Sequence, residues 1–241
     1  MGGPPPVAGL HPLLLRKLRN KLFNTYNKME IPNYDGKGGK NKKFKKIKPY
    51  MPSDTFRMLI CGNSGSGTTN LLYHMLIEPL IPYDEIYLYA RNLEEEKYQN
   101  LIQKMRQLSH KVGYDILNVS NDKVIPVDEM NYEDNQKVVI FDDYVCDKNQ
   151  RELIDYFIQG RHKNCSVIYL SQSFYKTPKD IRLNCSHYCI YDFPSSRERN
   201  MISSELGVSK EKFKAATSKP FSFLYLDKPE KKIATNFYGA L

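Results

Sequence analysis

A glycine-rich segment lies between a strand-like stretch and a helix-like stretch of the chain. It reads Gly62, Asn63, Ser64, Gly65, Ser66, Gly67, Thr68 and Thr69. Glycines let a backbone curl until successive N–H groups point at one anion, and a following helix adds its positive N-terminal end. The spacing resembles the phosphate-loop pattern G-x-x-x-x-G-K-[ST]. All eight residues are therefore predicted to contact the phosphates of a nucleotide.

One position departs from that pattern. Thr68 occupies the place of the lysine, while Thr69 supplies the hydroxyl expected to bind Mg²⁺. A threonine carries no charge and cannot reach the terminal phosphates. Removing a charge-assisted interaction of ~1.5–3 kcal/mol predicts roughly 10- to 150-fold weaker ATP binding. ATP and Mg²⁺ are the expected cofactors, and hydrolysis is expected to be impaired.

Two acidic residues follow an apolar stretch further along the chain. Val138 to Phe141 lead directly into Asp142 and Asp143, about 75 residues after the glycine-rich segment. An apolar strand that ends in acids is the Walker B arrangement of nucleotide hydrolases. Asp142 is predicted to hold the Mg²⁺ shell, and Asp143 to orient or deprotonate an attacking water.

A polar amide ends another predicted strand. Gln172 comes after the apolar run that ends at Leu170 and Ser171. Ligands in open α/β sheets bind at the carboxyl ends of the strands. Gln172 is therefore predicted to sense the terminal phosphate through a water.

Strand-like and helix-like segments alternate along the chain, which indicates an α/β fold with a mostly parallel central sheet flanked by helices. Near-continuous apolar runs indicate strands that are buried on both faces. Predicted strands cover residues 55–61, 85–90, 114–119, 137–142, 166–171, 188–193, 221–227 and 233–237. Predicted helices cover residues 69–80, 94–108, 149–160, 195–206 and 209–216.

Charge divides the chain into two parts. Residues 1–50 hold twelve Lys or Arg and two acids, a net charge of +10, so the remaining 24 basic and 25 acidic residues give −1. We predict a disordered basic tail over 1–50 and one P-loop domain over 51–241. The run from Lys40 to Lys48 indicates a nucleic-acid contact or a nuclear-import signal, and a solvated linker is the alternative.

Two further features concern the surroundings of the protein. No apolar run approaches the ~20 residues that a membrane span needs, so no membrane partner is expected. The five cysteines are an odd number, and a reducing intracellular compartment is the simpler interpretation.

Four segments together resemble one family. They are residues 59–67, Phe141-Asp142-Asp143, Gly160-Arg161-His162 and residues 167–173. In this order they are similar to the poxvirus-type genome-packaging ATPases of the FtsK–HerA class. Similar ATPases occur in large DNA viruses, virophages and Maverick/Polinton transposons. The resemblance extends over roughly residues 55–193.

The resemblance implies an ATP-driven motor that packages or translocates double-stranded DNA. It implies Asp142 as the metal ligand, Asp143 as the catalytic acid and Gln172 as the strand-end sensor. Arg161 becomes the candidate arginine finger, acting on the nucleotide of a neighbouring subunit and expected near the nucleotide edge of the sheet; Arg182 is the second choice. Such a finger implies a ring, typically a hexamer. Capsid proteins are possible partners, and the host cytoplasm or nucleus, or the virion, is the expected location.

Two other functions remain open. The first is a catalytically inactive subunit that binds nucleotide or DNA, which Thr68 favours. The second is a small-molecule kinase, which is less favoured because no arginine-rich lid follows the Walker B strand and the paired acids Asp142 and Asp143 suit hydrolysis better.

Overall fold

The structure is a computed structural model that describes residues 52, 55–78, 80–81, 83–121, 123–130, 135–143 and 150–240. The predicted basic tail over residues 1–50 lies outside these described residues. Among the described helices, none combines the length and the apolar character that crossing a membrane would require.

Within the described residues, nine strands form a single sheet in the order β3-β2-β4-β5-β1-β6-β7-β8-β9. The first six strands of the chain run parallel to one another, and β7, β8 and β9 follow antiparallel at one side. The strands are β1 Arg57–Cys61, β2 Glu85–Ala90, β3 Leu117–Ser120, β4 Lys137–Asp142, β5 Cys165–Ser171, β6 His187–Tyr191, β7 Phe223–Asp227, β8 Lys232–Thr235 and β9 Tyr238–Ala240. The prediction of a mostly parallel α/β sheet is confirmed.

Helices cover both faces of this sheet. They are α1 Thr68–Ile77, α2 Glu96–Val112, α3 Arg151–Gln159, α4 Lys179–Asn184, α5 Ser196–Leu206 and α6 Lys210–Ala216, with 3₁₀ turns at Val127–Glu129 and Gly160–Lys163. The sequence prediction missed α4 and β9, which span six and three residues. Elements this short hold too few residues to display a clear periodicity.

The core consists of two apolar layers, one on each side of the sheet. Successive side chains of β1 point alternately into the two layers. Ile60 packs in the layer of α1 and α2, and Leu59 packs in the layer of α3, α5 and α6. Strands β1, β5 and β6 carry almost only buried residues because both of their faces are covered. This double cover fixes the central strands, and thereby the loops that leave their carboxyl ends.

Candidate nucleotide-binding site

The glycine-rich loop leaves the end of β1, between the neighbouring strands β5 and β6. The Gly62 N–H donates to the Ser171 carbonyl over 3.0 Å, and the Ser66 N–H donates to the Asn63 carbonyl over 3.0 Å. A Cβ on Gly62 would lie 2.8 Å from the Tyr191 Cβ and would collide with the Ser66 Oγ. The loop therefore curls tightly at a position where only glycine fits.

Helix α1 begins without a side-chain cap. Gly67 precedes it with φ 103°, a left-handed conformation that glycine adopts without strain, and no acidic residue lies in the first turn. The hydroxyls of Ser195 and Ser209 cap α5 and α6, whereas α2, α3 and α4 share with α1 the lack of a side-chain cap. The first N–H groups of α1 thus lack the side-chain acceptor that helices normally use, as in helix ends that bind phosphate.

A buried hydroxyl in the loop has no partner. Within the described part of the chain, the Ser66 Oγ is buried and makes no hydrogen bond. Buried polar atoms are nearly always paired, and a phosphate oxygen bound in the loop would give this hydroxyl a partner. Three features of the loop are compatible with a bound phosphate chain: its tight curl, the uncapped start of α1 and this buried hydroxyl.

The two predicted Mg²⁺ ligands meet at a third residue, Tyr98. This buried tyrosine of α2 donates its hydroxyl hydrogen to the carboxylate of Asp142 at the end of β4. Burial raises the pKa of Tyr98, and the Thr69 side chain, which lies beside the same hydroxyl, acts to lower it. One hydroxyl and one carboxylate at a single point are oxygen ligands of the kind that Mg²⁺ takes.

The Asp142 carboxyl has an unusual proton affinity. Its pKa is raised to about 6, chiefly by burial and in smaller part by the neighbouring Asp143, whereas the Tyr98 hydrogen bond acts to lower it. Burying a carboxylate is unfavourable unless a positive partner compensates for it. A divalent cation would provide that compensation, so the residues fit the metal.

Tyr98 carries no signal in the sequence that separates it from a core tyrosine. It lies on the apolar face of α2 together with Leu101 and Met105, as the helical spacing requires. Its contact with Asp142 depends on how α2 packs against the sheet. For this reason, the sequence prediction missed it.

Asp143 and Gln172 lie at the same edge of the sheet as the loop. Asp143 directly follows β4 and adopts φ 58°, a left-handed conformation that aspartate tolerates better than most residues. Gln172 directly follows β5 and is exposed, and the preceding Ser171 pairs in register with Cys61. Both side chains therefore start beside the predicted phosphate site.

The placement expected for Arg161 is wrong. Arg161 lies in the 3₁₀ turn that precedes β5, which is the edge of the sheet opposite the glycine-rich loop. Burial is the main cause that lowers the pKa of Arg57, the first residue of β1, and the positive charge of Arg161 lowers it further. The seven residues of β5 lie between Arg161 and Gln172, and a strand of that length spans about 23 Å at 3.3 Å per residue.

Arg182, the second candidate for the arginine finger, is engaged inside its own subunit. Its side chain is buried, and its Nε lies 2.8 Å from the Glu205 carboxylate. The guanidinium also donates to the backbone carbonyls of Phe174, Tyr175 and Thr177. These contacts support the turn after β5 and hold the guanidinium against groups of its own subunit.

The fold and the loop define the class: this is a P-loop NTPase domain. Residues 41–218 match the family described as Poxvirus A32 protein. The chain therefore belongs to that family, and the resemblance seen in the sequence is confirmed.

Individual relatives agree with this assignment. The DNA packaging protein OPG160 of Variola virus and that of Vaccinia virus strain Western Reserve are each 30% identical over 158 residues, which is 62% of this chain and 57% of theirs. The chain thus spans little more than half the length of these relatives.

Solved structures show the same fold. The genome packaging NTPase B204 from Sulfolobus turreted icosahedral virus 2, in complex with AMP, aligns with a TM-score of 0.56 at 15% identity, covering 78% of this chain and 98% of its own. The DNA-packaging ATPase B204 from Sulfolobus turreted icosahedral virus gives 0.56 at 17% identity, covering 79% and 100%.

Proposed function

We propose that this chain is a subunit of an ATP-driven motor that packages or translocates DNA. One observation carries the proposal: Thr69 and Asp142 meet at the Tyr98 hydroxyl beside an uncapped helix end, in a chain of this family. Relatives named as DNA packaging proteins support it. The B204 fold, solved in complex with ATP-gammaS, supports ATP as the nucleotide.

Each residue at this edge has a task in that proposal. The loop of residues 62–69 would bind the phosphates through its backbone N–H groups other than those of Gly62 and Ser66, which pair within the protein. Thr69 and Asp142 would hold Mg²⁺. When bound, Mg²⁺ neutralises charge on the phosphate oxygens. Asp143 orients or deprotonates the attacking water, and Gln172 holds a water next to the terminal phosphate.

Thr68 limits the rate in this proposal. It starts α1 at the position from which a lysine would bridge the β- and γ-phosphates, and its hydroxyl is too short and uncharged to do so. The geometry of the loop is retained, so binding is weakened but not abolished. The second candidate function, an inactive subunit that holds nucleotide or DNA, rests on this residue.

The partners follow from the proposed motor. Double-stranded DNA is the substrate, and further copies of this chain form the ring, with six as the expected number. Capsid proteins would receive the DNA, and the motor would work inside infected cells or in association with virions.

The experiment is a steady-state ATPase assay with and without duplex DNA. The natural chain, Thr68→Lys and Thr68→Lys/Asp143→Asn are compared. We expect slow turnover in the natural chain, a rate at least tenfold higher and stimulated by DNA in Thr68→Lys, and loss of that rate when Asp143 is also changed.

Other outcomes would refute parts of this proposal. Equal rates for the natural chain and Thr68→Lys would contradict the placement of Thr68 next to the terminal phosphates. ATP binding without turnover in either form would select the inactive subunit. Transfer of phosphate to a small acceptor, with no response to DNA, would select a kinase.

A further inference from the structure

An exposed phenylalanine lies beside the glycine-rich loop. Phe221 is 65% exposed and adopts φ 60°. Bulky residues with a Cβ rarely occupy this left-handed region, and such backbone conformations cluster at ligand-binding sites. Phe221 therefore has an exposed ring that a ligand could cover, and its backbone is held in a left-handed conformation that phenylalanine rarely adopts.

A tight turn holds this conformation. The Ser222 hydroxyl donates to the Lys219 carbonyl over 2.6 Å and accepts from the Lys219 N–H over 3.1 Å, while the Ser222 N–H donates to the same carbonyl. Beyond the turn, the Phe223 N–H donates to the Asn236 side chain. The ring of Phe221 is thus presented from a fixed backbone, which reduces the entropy lost when a ligand binds.

The position of the ring relative to the loop is specific. A Cβ on Gly67 would lie 3.4 Å from a ring carbon of Phe221 and 3.8 Å from the Tyr191 hydroxyl. That hydroxyl donates to the Gly67 carbonyl over 3.3 Å. Since β7 runs antiparallel to β6, the turn before β7 lies at the edge where the phosphate loop begins helix α1.

We propose that Phe221 is the platform on which the nucleotide base stacks. The proposal rests on the proposed function, because it needs a nucleotide whose phosphates occupy residues 62–69. The ring lies at Gly67, where the loop passes into α1, and it is one of the exposed large apolar side chains among the described residues. An aromatic face accepts any base, so the ring contributes affinity with little discrimination between adenine and guanine.

The experiment measures the affinities of ATP and of inorganic tripolyphosphate for the full chain by calorimetry, in the natural sequence and with Thr68→Lys. Phe221→Ala should weaken ATP binding by about 5- to 150-fold, the range of base–aromatic stacking. It should leave the affinity for tripolyphosphate unchanged. Phe221→Trp, which keeps an aromatic ring at this position, should bind ATP as tightly as the chain with Phe221. Tyr114→Ala is the matched control, because Tyr114 is an exposed aromatic that precedes β3 at the opposite edge.

Each alternative result is informative. If neither the natural chain nor Thr68→Lys binds ATP, the proposed function fails together with this inference. If ATP binds and Phe221→Ala binds it equally well, only the stacking role is overturned. If ATP and tripolyphosphate weaken equally, Phe221 supports the phosphate loop instead of the base. A loss of self-association with unchanged ATP affinity would assign the ring to a contact between subunits.

Discussion

At the scale of single residues, the site depends on hydrogen bonds between elements that are distant in the sequence. Tyr98 of α2 donates to Asp142 of β4 and lies beside Thr69 of α1, and Tyr191 of β6 donates to the Gly67 carbonyl of the loop. Residues that orient metal ligands commonly change metal affinity or activity by 10- to 100-fold when they are removed. Substituting the side chains around the predicted ligands should therefore change metal affinity by a measurable amount, as substituting the ligands would.

Tyr98→Phe should raise the Mg²⁺ concentration needed for half-maximal ATP binding by roughly tenfold at neutral pH. The hydroxyl lowers the pKa of Asp142, so its removal raises that pKa above about 6 and leaves less carboxylate ionised. The deficit should shrink as the pH rises, which calorimetric titrations at several pH values would measure. Tyr114→Phe is the control. A deficit independent of pH would indicate a purely structural role.

His74 predicts a pH dependence of folding stability. Burial lowers its pKa to about 4, and neither ring nitrogen has a hydrogen-bond partner within the described chain. Its pKa in the folded state lies below the unfolded value of about 6.5, so the folded protein favours the neutral imidazole and the unfolded chain binds the proton more tightly. Stability is thus complete above about pH 6.5 and is lost as the pH falls towards 4, by roughly 3 kcal/mol.

Urea unfolding at pH 7 and pH 4 measures this loss. His74→Leu should lose less stability than the natural chain between the two pH values, by up to the same roughly 3 kcal/mol. His110→Gln is the control, since His110 is exposed near the end of α2. Equal losses in the natural chain and His74→Leu would show that His74 does not titrate in this way.

At the scale of elements, the sequence predicts what local patterns determine and fails where packing decides. Apolar runs such as Val138 to Phe141 locate the central strands, and glycine spacing locates the loop between β1 and α1. The approach of Tyr98 and the presentation of Phe221 depend on how distant elements pack, and no spacing encodes them. The expected position of Arg161 is wrong because of the direction of β5: residues that precede a parallel strand lie at the edge away from the ligand.

The placement of Arg161 sharpens its proposed role in a neighbouring subunit. Seven residues of β5 separate it from its own phosphate edge, so it cannot act within its own subunit. A head-to-tail ring joins two different faces of adjacent copies, which is the arrangement in which such an arginine would reach a neighbour's nucleotide.

A complementation assay tests that role. In a Thr68→Lys background, Arg161→Ala and Asp143→Asn copies should each be inactive, with losses of about 10³- to 10⁵-fold for a true finger. Their mixture should regain part of the activity, because some interfaces then combine an intact arginine with an intact acid. Mixed rings that form but remain inactive would eliminate Arg161, and the second choice, Arg182, is already engaged with Glu205.

At the scale of the whole molecule, the excess positive charge expected to bind DNA lies in a different part of the chain from the nucleotide site. Residues 51–241 carry a net charge of −1, while residues 1–50 carry +10. The family match begins at residue 41, so part of the basic run belongs to the region that matches the family. We expect the nearly neutral P-loop domain to fold without the basic segment but to bind DNA weakly.

A chain that starts at Met51 should keep the melting temperature of the full protein and bind DNA more weakly. The slope of log K against log salt should flatten by about 0.9 for each DNA phosphate that the shortened chain no longer neutralises. Fluorescence anisotropy of a labelled duplex at several salt concentrations measures both the affinity and the slope. Replacing the lysines from Lys40 to Lys48 by serine in the full chain is the matched control for length. An unchanged salt slope would refute a DNA-binding role for this segment.

Movement along DNA is the property that distinguishes a packaging motor from any other DNA-stimulated ATPase, and displacement of a third strand from a triplex measures it directly. With ATP, Thr68→Lys should release the labelled third strand from a duplex track, and the natural chain should do so at least tenfold more slowly. Thr68→Lys/Asp143→Asn, or a non-hydrolysable ATP analogue, should give no release. Hydrolysis by Thr68→Lys that is stimulated by DNA but never displaces the third strand would contradict the proposed motor.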